Sequence, residues 1–191
     1  GYRLADGVNP PAFTVTVEGA RIAGLSETLP VDDYFALKSA IEDFNTNATD
    51  NRTITVYNSI DIGPSFEITN QSCILTIRGA TGGEVLNYNR GEGLFTVSNG
   101  AHLQLEDITL KGNTQSISHA VDVNGGKLTI ENGAVLTSFI GGYGGAIYIN
   151  GGELTMNGGE ISNNQAIYRD LGSRSGGGGV FVENGGSFVM N

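Results

Sequence analysis

Five residues in the middle of the chain carry side chains that acid–base chemistry uses. Glu106 and Asp107 are adjacent, Lys111 and His119 follow them, and Asp122 completes the group. Hydrolysis of a glycosidic bond needs two carboxyl groups at a defined separation, one acting as acid and the other as base or nucleophile. A lyase instead needs a basic side chain that abstracts a proton beside a uronate carboxylate. The separation of Asp107 and Asp122 would place them on adjacent coils of a repeating fold.

The rest of the sequence does not complete such a centre. No Arg-x-x-Arg pair and no lysine-rich segment accompanies the acids, so we expect Glu106 and Asp107 to lie in an exposed turn and predict no catalytic residue in the chain. His102 and His119 are the only histidines, and neither has a Cys or His at metal-ligand spacing. No cofactor and no metal site are therefore predicted. Calcium held by a carboxylate and backbone carbonyls stays an open alternative.

Composition favours a domain of many short strands. The 191 residues include 30 glycines, about twice the usual share, and one cysteine, Cys73, so no internal disulfide can form. The formal net charge of −10 would repel phosphate groups, which disfavours nucleic acid and anionic membranes as partners. No apolar run approaches the roughly 20 residues of a membrane-spanning helix. We expect neither a nucleic-acid partner nor a membrane span.

One amphipathic helix is predicted, over residues 33 to 44, with Asp32 or Asp33 as its N-cap. Its apolar positions recur at helical spacing: Tyr34, Leu37, Ile41 and Phe44. Before it, Phe13, Val15 and Val17 alternate with threonine, which is typical of a strand. The chain is accordingly divided into an N-terminal extended or β segment, residues 1 to 31, and a repetitive domain, residues 32 to 191.

The repetitive domain is built from units of about 25 residues, each centred on a turn asparagine. These are Asn70, Asn99, Asn124, Asn150 and Asn184, at spacings of 29, 25, 26 and 34. Short alternating strands precede them at Phe66/Ile68, Phe95/Val97, Val121/Val123, Ile147/Ile149 and Val180/Val182, and follow them at Leu75/Ile77, Leu103/Leu105, Leu128/Ile130, Leu154/Met156 and Phe188/Met190. A third apolar position is assigned to Ile108, Val135 and Ile161. Strands this short bury their side chains only when neighbouring units stack.

The segments "AIYINGGELTMNGGEISNNQA" and "GGGVFVENGGSFVMN" resemble the Gly/Asn-rich coils of right-handed parallel β-helix proteins, the pectate-lyase-like group. The resemblance extends over residues 33 to 191. It implies an all-β fold, a right-handed parallel β-helix (solenoid) whose N-terminal end is capped by the amphipathic helix. Because the sequence stops in the middle of a repeat, we expect the natural protein to continue beyond Asn191. In this chain, the open last coil would leave backbone groups unpaired and would allow end-to-end self-association of two chains.

Coils of this kind recur in bacterial surface proteins, adhesins and polysaccharide-degrading enzymes, so the fold does not decide the activity. The function expected is that of a non-enzymatic extracellular β-helix, secreted or at the cell surface. It would be adhesin-like or structural, with glycans or host and matrix proteins as partners. The alternative is a fragment of a polysaccharide lyase or glycoside hydrolase whose active site lies outside the chain or at its edge.

The most informative irregularity is the last spacing, which is eight residues longer than the one before it. The extra residues fall within residues 163 to 177, and insertions in stacked-repeat proteins often form a binding loop. The segment offers side chains suited to stacking on sugars or pairing with carboxylates. With one aromatic residue from the preceding unit, the candidate ligand-binding residues are Tyr143, Tyr168, Arg169, Asp170 and Arg174. The competing interpretation is a loop without a ligand.

Overall fold

The computed structural model describes residues 27–91, 93–113, 117–167 and 176–191, and its regular structure is mainly β-strand, 49% against 9% helix. In chain order the elements of these ranges are β1 (Glu27–Val31), α1 (Tyr34–Asn47), β2 (Arg52–Val56), β3 (Ile60–Ile62), β4 (Phe66–Ile68), β5 (Ile74–Gly79), β6 (Val85–Tyr88), β7 (Phe95–Ser98), β8 (His102–Glu106), β9 (Thr109–Lys111), β10 (Val121–Asn124), β11 (Lys127–Ile130), β12 (Val135–Thr137), β13 (Ile140–Gly141), β14 (Ile147–Asn150), β15 (Glu153–Met156), β16 (Glu160–Ser162), β17 (Gln165–Ala166), β18 (Val180–Glu183) and β19 (Ser187–Met190).

The strands form parallel sheets that the chain visits in a fixed order. The largest sheet has the order β1-β2-β5-β8-β11-β15-β19, the second β16-β12-β9-β6-β3 and the third β18-β14-β10-β7-β4, while β13 and β17 form a two-stranded sheet. From β2 onward the chain passes from the first sheet to the second, then to the third, and back to the first. Strand β1 precedes the predicted division at residue 31 and pairs with β2.

The apolar ladders predicted on either side of the turn asparagines are confirmed. In the third sheet, Phe66 pairs with Phe95 and Val121 with both Phe95 and Ile147. The corresponding positions of the first sheet pair in the same way, and the buried members of all three sheets and α1 form one apolar cluster. Ile149, expected to point inward, is fully buried, and Met156 packs partly buried against this cluster.

The third predicted ladder has the wrong register. Leu110 and Leu136 pair in the second sheet, and Leu136 also pairs with Ile161. Val135 instead pairs with Thr109 and is only half-buried, so its side chain is not one of the inward set. Ile108 is buried but precedes β9. At β12 the misassignment arises because Val135 and Leu136 are adjacent and both apolar, so the sequence does not say which of them faces inward. At β9 both Ile108 and Leu110 are buried, but only Leu110 lies in the strand.

Helix α1 packs against the first strands of the sheets, β1, β2, β3 and β4. Its N-cap is Asp33, whose Oδ1 accepts a hydrogen bond from the Ala36 amide at 2.8 Å. The predicted apolar stripe is confirmed, because Leu37, Ile41 and Phe44 are buried against the sheets. The helix ends at Asn47, three residues beyond the predicted end.

The end of α1 is tied to the following strands through Asn70. Its Nδ2 donates hydrogen bonds to the carbonyl oxygens of Phe44 and Ala48, both at 3.0 Å. Its Oδ1 accepts from the amides of Ser72 at 2.9 Å and Cys73 at 3.1 Å. A single side-chain amide therefore pairs the Ala48 carbonyl just beyond the helix and adds a second hydrogen bond to the Phe44 carbonyl, which already accepts from the Ala48 amide at 3.3 Å.

Four of the five turn asparagines, all except Asn70, make two kinds of corner. Asn99 and Asn184 themselves adopt left-handed backbone conformations, with φ of 46° and 51°. At Asn124 and Asn150 the left-handed residue is the glycine that follows. A corner with a left-handed asparagine contains one residue more than a corner with a left-handed glycine alone. The pairing shows this, because Asn150 pairs with Glu183 and Asn184 is the additional residue. Asparagine tolerates this conformation better than other non-glycine residues, which explains its use at the corners.

The predicted insertion is present between two strands that stay in register. The pairing offset in the third sheet is 26 residues from Val121 to Ile147 and 33 from Ile147 to Val180. Seven of the eight extra residues therefore lie before β18, and the eighth is at the Asn184 corner. Because β17 still pairs with β13, the added segment follows Ala166.

Candidate functional site

The outward side chains of the third sheet form a row that changes character along the sheet. Register places one residue from each strand in this row: Glu67, Thr96, Asp122, Tyr148 and Phe181. Their neighbours in each strand point inward, because residues alternate between the two faces of a sheet. The row begins with polar side chains and ends with two aromatic rings.

Four aromatic rings meet at the end of this row, and we call them the aromatic cluster: His119, Tyr143, Tyr148 and Phe181. Tyr148 and Phe181 stack almost parallel, with centroids 6.1 Å apart and planes 9° apart. His119 stacks on Tyr148 at 5.9 Å. Tyr143 lies 5.4 Å from Phe181 and 6.3 Å from Tyr148, and 41% of it is exposed. The cluster is a contiguous aromatic surface that solvent reaches at Tyr143.

Close glycine contacts hold the cluster in place. A Cβ atom at Gly141 would lie 2.4 Å from the His119 ring, and one at Gly176 would lie 2.1 Å from the Phe181 ring. Gly144 and Gly145 are buried, and Gly145 packs against the backbone of Gly178. Of the four glycines around Tyr143, Gly141, Gly144 and Gly145 are therefore close-packed, whereas a Cβ atom at Gly142 would meet nothing within 4 Å.

An acidic cleft of about 330 Å³ adjoins the cluster. The described residues that line it are Gly91, Gly93, Ile117, Ser118, His119, Asp122, Gly142 and Tyr143. Asp122 Oδ1 lies 2.7 Å from His119 Nδ1. The N–H of the ring is not directed at this oxygen, so the contact is an electrostatic one rather than an aligned hydrogen bond.

Three polar atoms of this cleft are buried without a hydrogen-bond partner in the described part of the chain. They are Ser118 Oγ, His119 Nε2 and Asp122 Oδ1. Buried polar atoms almost always have a partner in folded proteins, and leaving one unpaired costs about 1–3 kcal/mol. Such atoms gathered in one cleft are typical of a site that contacts something other than the chain itself.

Tyr148 joins the cluster to a second carboxylate. Its hydroxyl donates a hydrogen bond to Glu183 on the next strand. Burial, followed by this hydrogen bond to Glu183, raises the pKa of Tyr148 to about 12. The phenol is therefore neutral at physiological pH and acts as a donor.

Two other side chains with shifted pKa values make hydrogen bonds within the chain. Glu84 is buried and accepts hydrogen bonds from Thr81 and Gly82, and the bond from the Thr81 hydroxyl does most to lower its pKa. His102 lies on the first sheet with Nε2 2.8 Å from Thr129 Oγ1, and burial lowers its pKa. Within the described ranges no group of three or more His, Cys, Asp or Glu side chains could hold a metal ion.

The predicted ligand-binding residues divide into two sets. Tyr143 belongs to the aromatic cluster. The other four, Tyr168, Arg169, Asp170 and Arg174, lie outside the described residues, so their roles stay predictions.

Of the possible acid–base residues, the structure brings together only His119 and Asp122. Asp107 follows a strand of the first sheet and contacts Gly133, whereas Asp122 is on the third sheet and neighbours Thr96. The two aspartates do not form an adjacent pair, because Asp107 lies in the turn between β8 and β9 whereas Asp122 lies within β10. Glu106 pairs with Arg78 in the first sheet, which also separates it from the cleft.

Tyr148 and Phe181 are absent from the sequence-based set. A signal was available, since both occupy the outward position of an aligned strand, in "IYIN" and "VFVE".

No family model, curated protein or solved structure matches this chain. The described residues include no helix that is both long and apolar enough to cross a membrane.

Proposed function

We propose that the chain is a right-handed parallel β-helix, secreted or at the cell surface, that binds carbohydrate without cleaving it. The fold part of the proposal rests on the cyclic path through three parallel sheets and on a pairing offset of about 26 residues per unit. Crossovers between parallel strands are right-handed in nearly all proteins, which supports the hand. In this fold α1 would cap one end of the coil.

The aromatic cluster carries the functional part of the proposal. Aromatic rings pack against the apolar C–H face of a sugar ring, while nearby carboxylates and hydroxyls pair with its hydroxyl groups. Tyr143, Tyr148 and Phe181 supply the ring surface, and Asp122 and Ser118 supply polar atoms beside it. The acidic net charge of −10 is compatible with a glycan partner and unfavourable for phosphate-rich partners.

Titration calorimetry with oligosaccharides selected on a glycan array tests the proposal. Tyr143→Ala should raise the Kd at least tenfold, equivalent to about 1.4 kcal/mol. Tyr57→Ala is the matched control, because Tyr57 is 52% exposed and lies outside the aromatic cluster. Equal affinity of the two variants, with both folded by circular dichroism, would remove the cluster from the proposed function.

Polysaccharide cleavage is the second candidate, favoured by the 2.7 Å contact between His119 and Asp122. An imidazole held against a carboxylate is a common general acid or base. The full active site would then include residues outside the described ranges or outside this chain. Release of new reducing ends from a bound polysaccharide, abolished in His119→Gln, would establish this candidate. Binding without product release would favour the first.

A further inference from the structure

We infer that the cleft selects neutral or amine-bearing sugars, which donate hydrogen bonds to it, and that it rejects uronates. The inference rests on the proposed carbohydrate binding and assigns its specificity to Asp122. It is carried by the three unpartnered atoms of the cleft and by the charge around them.

The unpartnered atoms are mainly acceptors. Asp122 Oδ1 belongs to a carboxylate, which only accepts. His119 Nδ1 lies 2.7 Å from that carboxylate, whose negative charge favours the tautomer with the proton on Nδ1 although the N–H is not aligned with Oδ1. In that tautomer of the neutral ring, Nε2 is an acceptor. Ser118 Oγ can donate or accept. Two of the three atoms therefore require a donor from the ligand, such as a sugar hydroxyl or an ammonium group.

The charge around the cleft also opposes an acidic ligand. Asp122 is the only Asp, Glu, Lys or Arg among the described lining residues. Glu183 lies two strands further along the same sheet, bonded to Tyr148. A uronate carboxylate placed here would face like charge with no cation in the described lining to offset it. The described basic residue nearest in sequence, Arg90, precedes the lining residue Gly91 and is exposed.

The sugar ring has a defined place beside these atoms. Tyr143 and His119 line the cleft and belong to the aromatic cluster. A ring stacked on Tyr143 can direct its substituents toward Asp122 and Ser118. Substituents of that ring, rather than its stacked face, then decide which sugar binds.

The test uses oligosaccharides that differ in one substituent. Gluco- and galacto-configured tetramers are compared as neutral, amine-bearing and uronate forms by calorimetry at pH 7 and low salt. The amine-bearing and neutral tetramers should bind, with the amine-bearing form tighter, and uronate affinity should be at least tenfold weaker. Asp122→Asn should reduce the affinity for the amine-bearing tetramers about tenfold. It should also narrow the difference in affinity between the neutral and the uronate tetramers.

The outcomes separate this inference from the proposed function. Uronate binding equal to neutral binding overturns the specificity and leaves carbohydrate binding intact. Uronate binding that Arg90→Ala abolishes also overturns it and assigns recognition to that arginine. Binding that Tyr143→Ala removes but Asp122→Asn leaves unchanged overturns the role of Asp122. Failure of all six tetramers to bind overturns both proposals.

Discussion

The carboxylate of Asp122 lies directly against Gly93. A Cβ atom at Gly93 would be 2.4 Å from Asp122 Oδ2 and 3.4 Å from the Phe95 carbonyl oxygen. The backbone of Gly93 is not left-handed, so glycine is needed here for space rather than for conformation. The position of the acid in the cleft thus depends on the absence of a side chain one strand away.

Gly93→Ala should displace the Asp122 carboxylate and weaken saccharide binding about tenfold. Overpacking at this site should cost about 1 kcal/mol of stability. Gly142→Ala is the control, because Gly142 lines the same cleft and a Cβ there meets nothing within 4 Å. Calorimetry and thermal unfolding of both variants provide the measurement. Wild-type affinity in Gly93→Ala would mean that the carboxylate does not contact the ligand.

Ile149→Asp should destabilise the fold by about 3–5 kcal/mol, because Ile149 is fully buried and its replacement carries a charge without a partner. Val182 is the next residue of the same ladder and is 37% exposed. Val182→Asp should therefore cost about 1 kcal/mol. Urea unfolding of the two variants measures the difference. Similar midpoints would show that the register assigned to this ladder is wrong.

The pKa of Tyr148, raised to about 12, should make one tyrosine titrate late. Absorbance at 295 nm should show a component with a midpoint near pH 12 that Tyr148→Phe removes. Because the folded state holds this proton more tightly than the unfolded chain, the associated stability is present below about pH 10 and is lost between pH 10 and 12. Tyr57→Phe, at an exposed position, is the control and should leave the component near pH 12 in place.

Asn70→Asp should destabilise the protein by about 2 kcal/mol. The substitution replaces the two N–H donors to Phe44 and Ala48 by an oxygen that repels both carbonyls. Gln71→Glu adds the same charge to the adjacent exposed residue and should have a small effect. A thermal melt distinguishes them. Equal melting temperatures would indicate that solvent satisfies the end of α1 without Asn70.

Self-association, expected from the sequence, has a defined surface in β19. This edge strand exposes Phe188, Val189 and Met190, the last of them 67% exposed, and it contains no lysine or proline that would oppose pairing. We expect a second copy to pair edge to edge, giving a dimer at high concentration by sedimentation velocity. Val189→Lys should return the protein to a monomer.

Phe35→Lys is the control for this experiment. Phe35 is 77% exposed on α1, and α1 packs on the first strands of the sheets rather than on β19. The control removes an exposed apolar side chain and adds the same charge away from the predicted interface. A wild-type protein that stays monomeric, or a Phe35→Lys variant that dissociates as Val189→Lys does, would contradict the predicted interface.

The ladders could be predicted because inward residues such as Val121 and Ile147 recur at a nearly constant interval and must be apolar to be buried. Helix α1 could be predicted in the same way, because its buried apolar residues recur at helical spacing. The predicted register is wrong at Val135, because the adjacent Leu136 is also apolar and the alternation of polar and apolar residues is ambiguous there.

The candidate site was predicted only in part. Tyr143 was identified from its proximity to the insertion. The contacts that make the site, from His119 to Asp122 and from Tyr148 to Phe181, join residues whose proximity depends on loop paths and side-chain packing. The orphaned atoms of the cleft follow from burial, which composition and spacing do not reveal.

Ile147 and Val180 pair in register although they are 33 residues apart in the sequence, seven more than the 26 between Val121 and Ile147. The length of that connection is thus independent of the strands it joins. A peptide of chosen sequence exchanged for residues 168 to 175 would then join Ile167 to Gly176 on an unchanged scaffold. The same independence would let the length and sequence of this connection vary with little cost in folding.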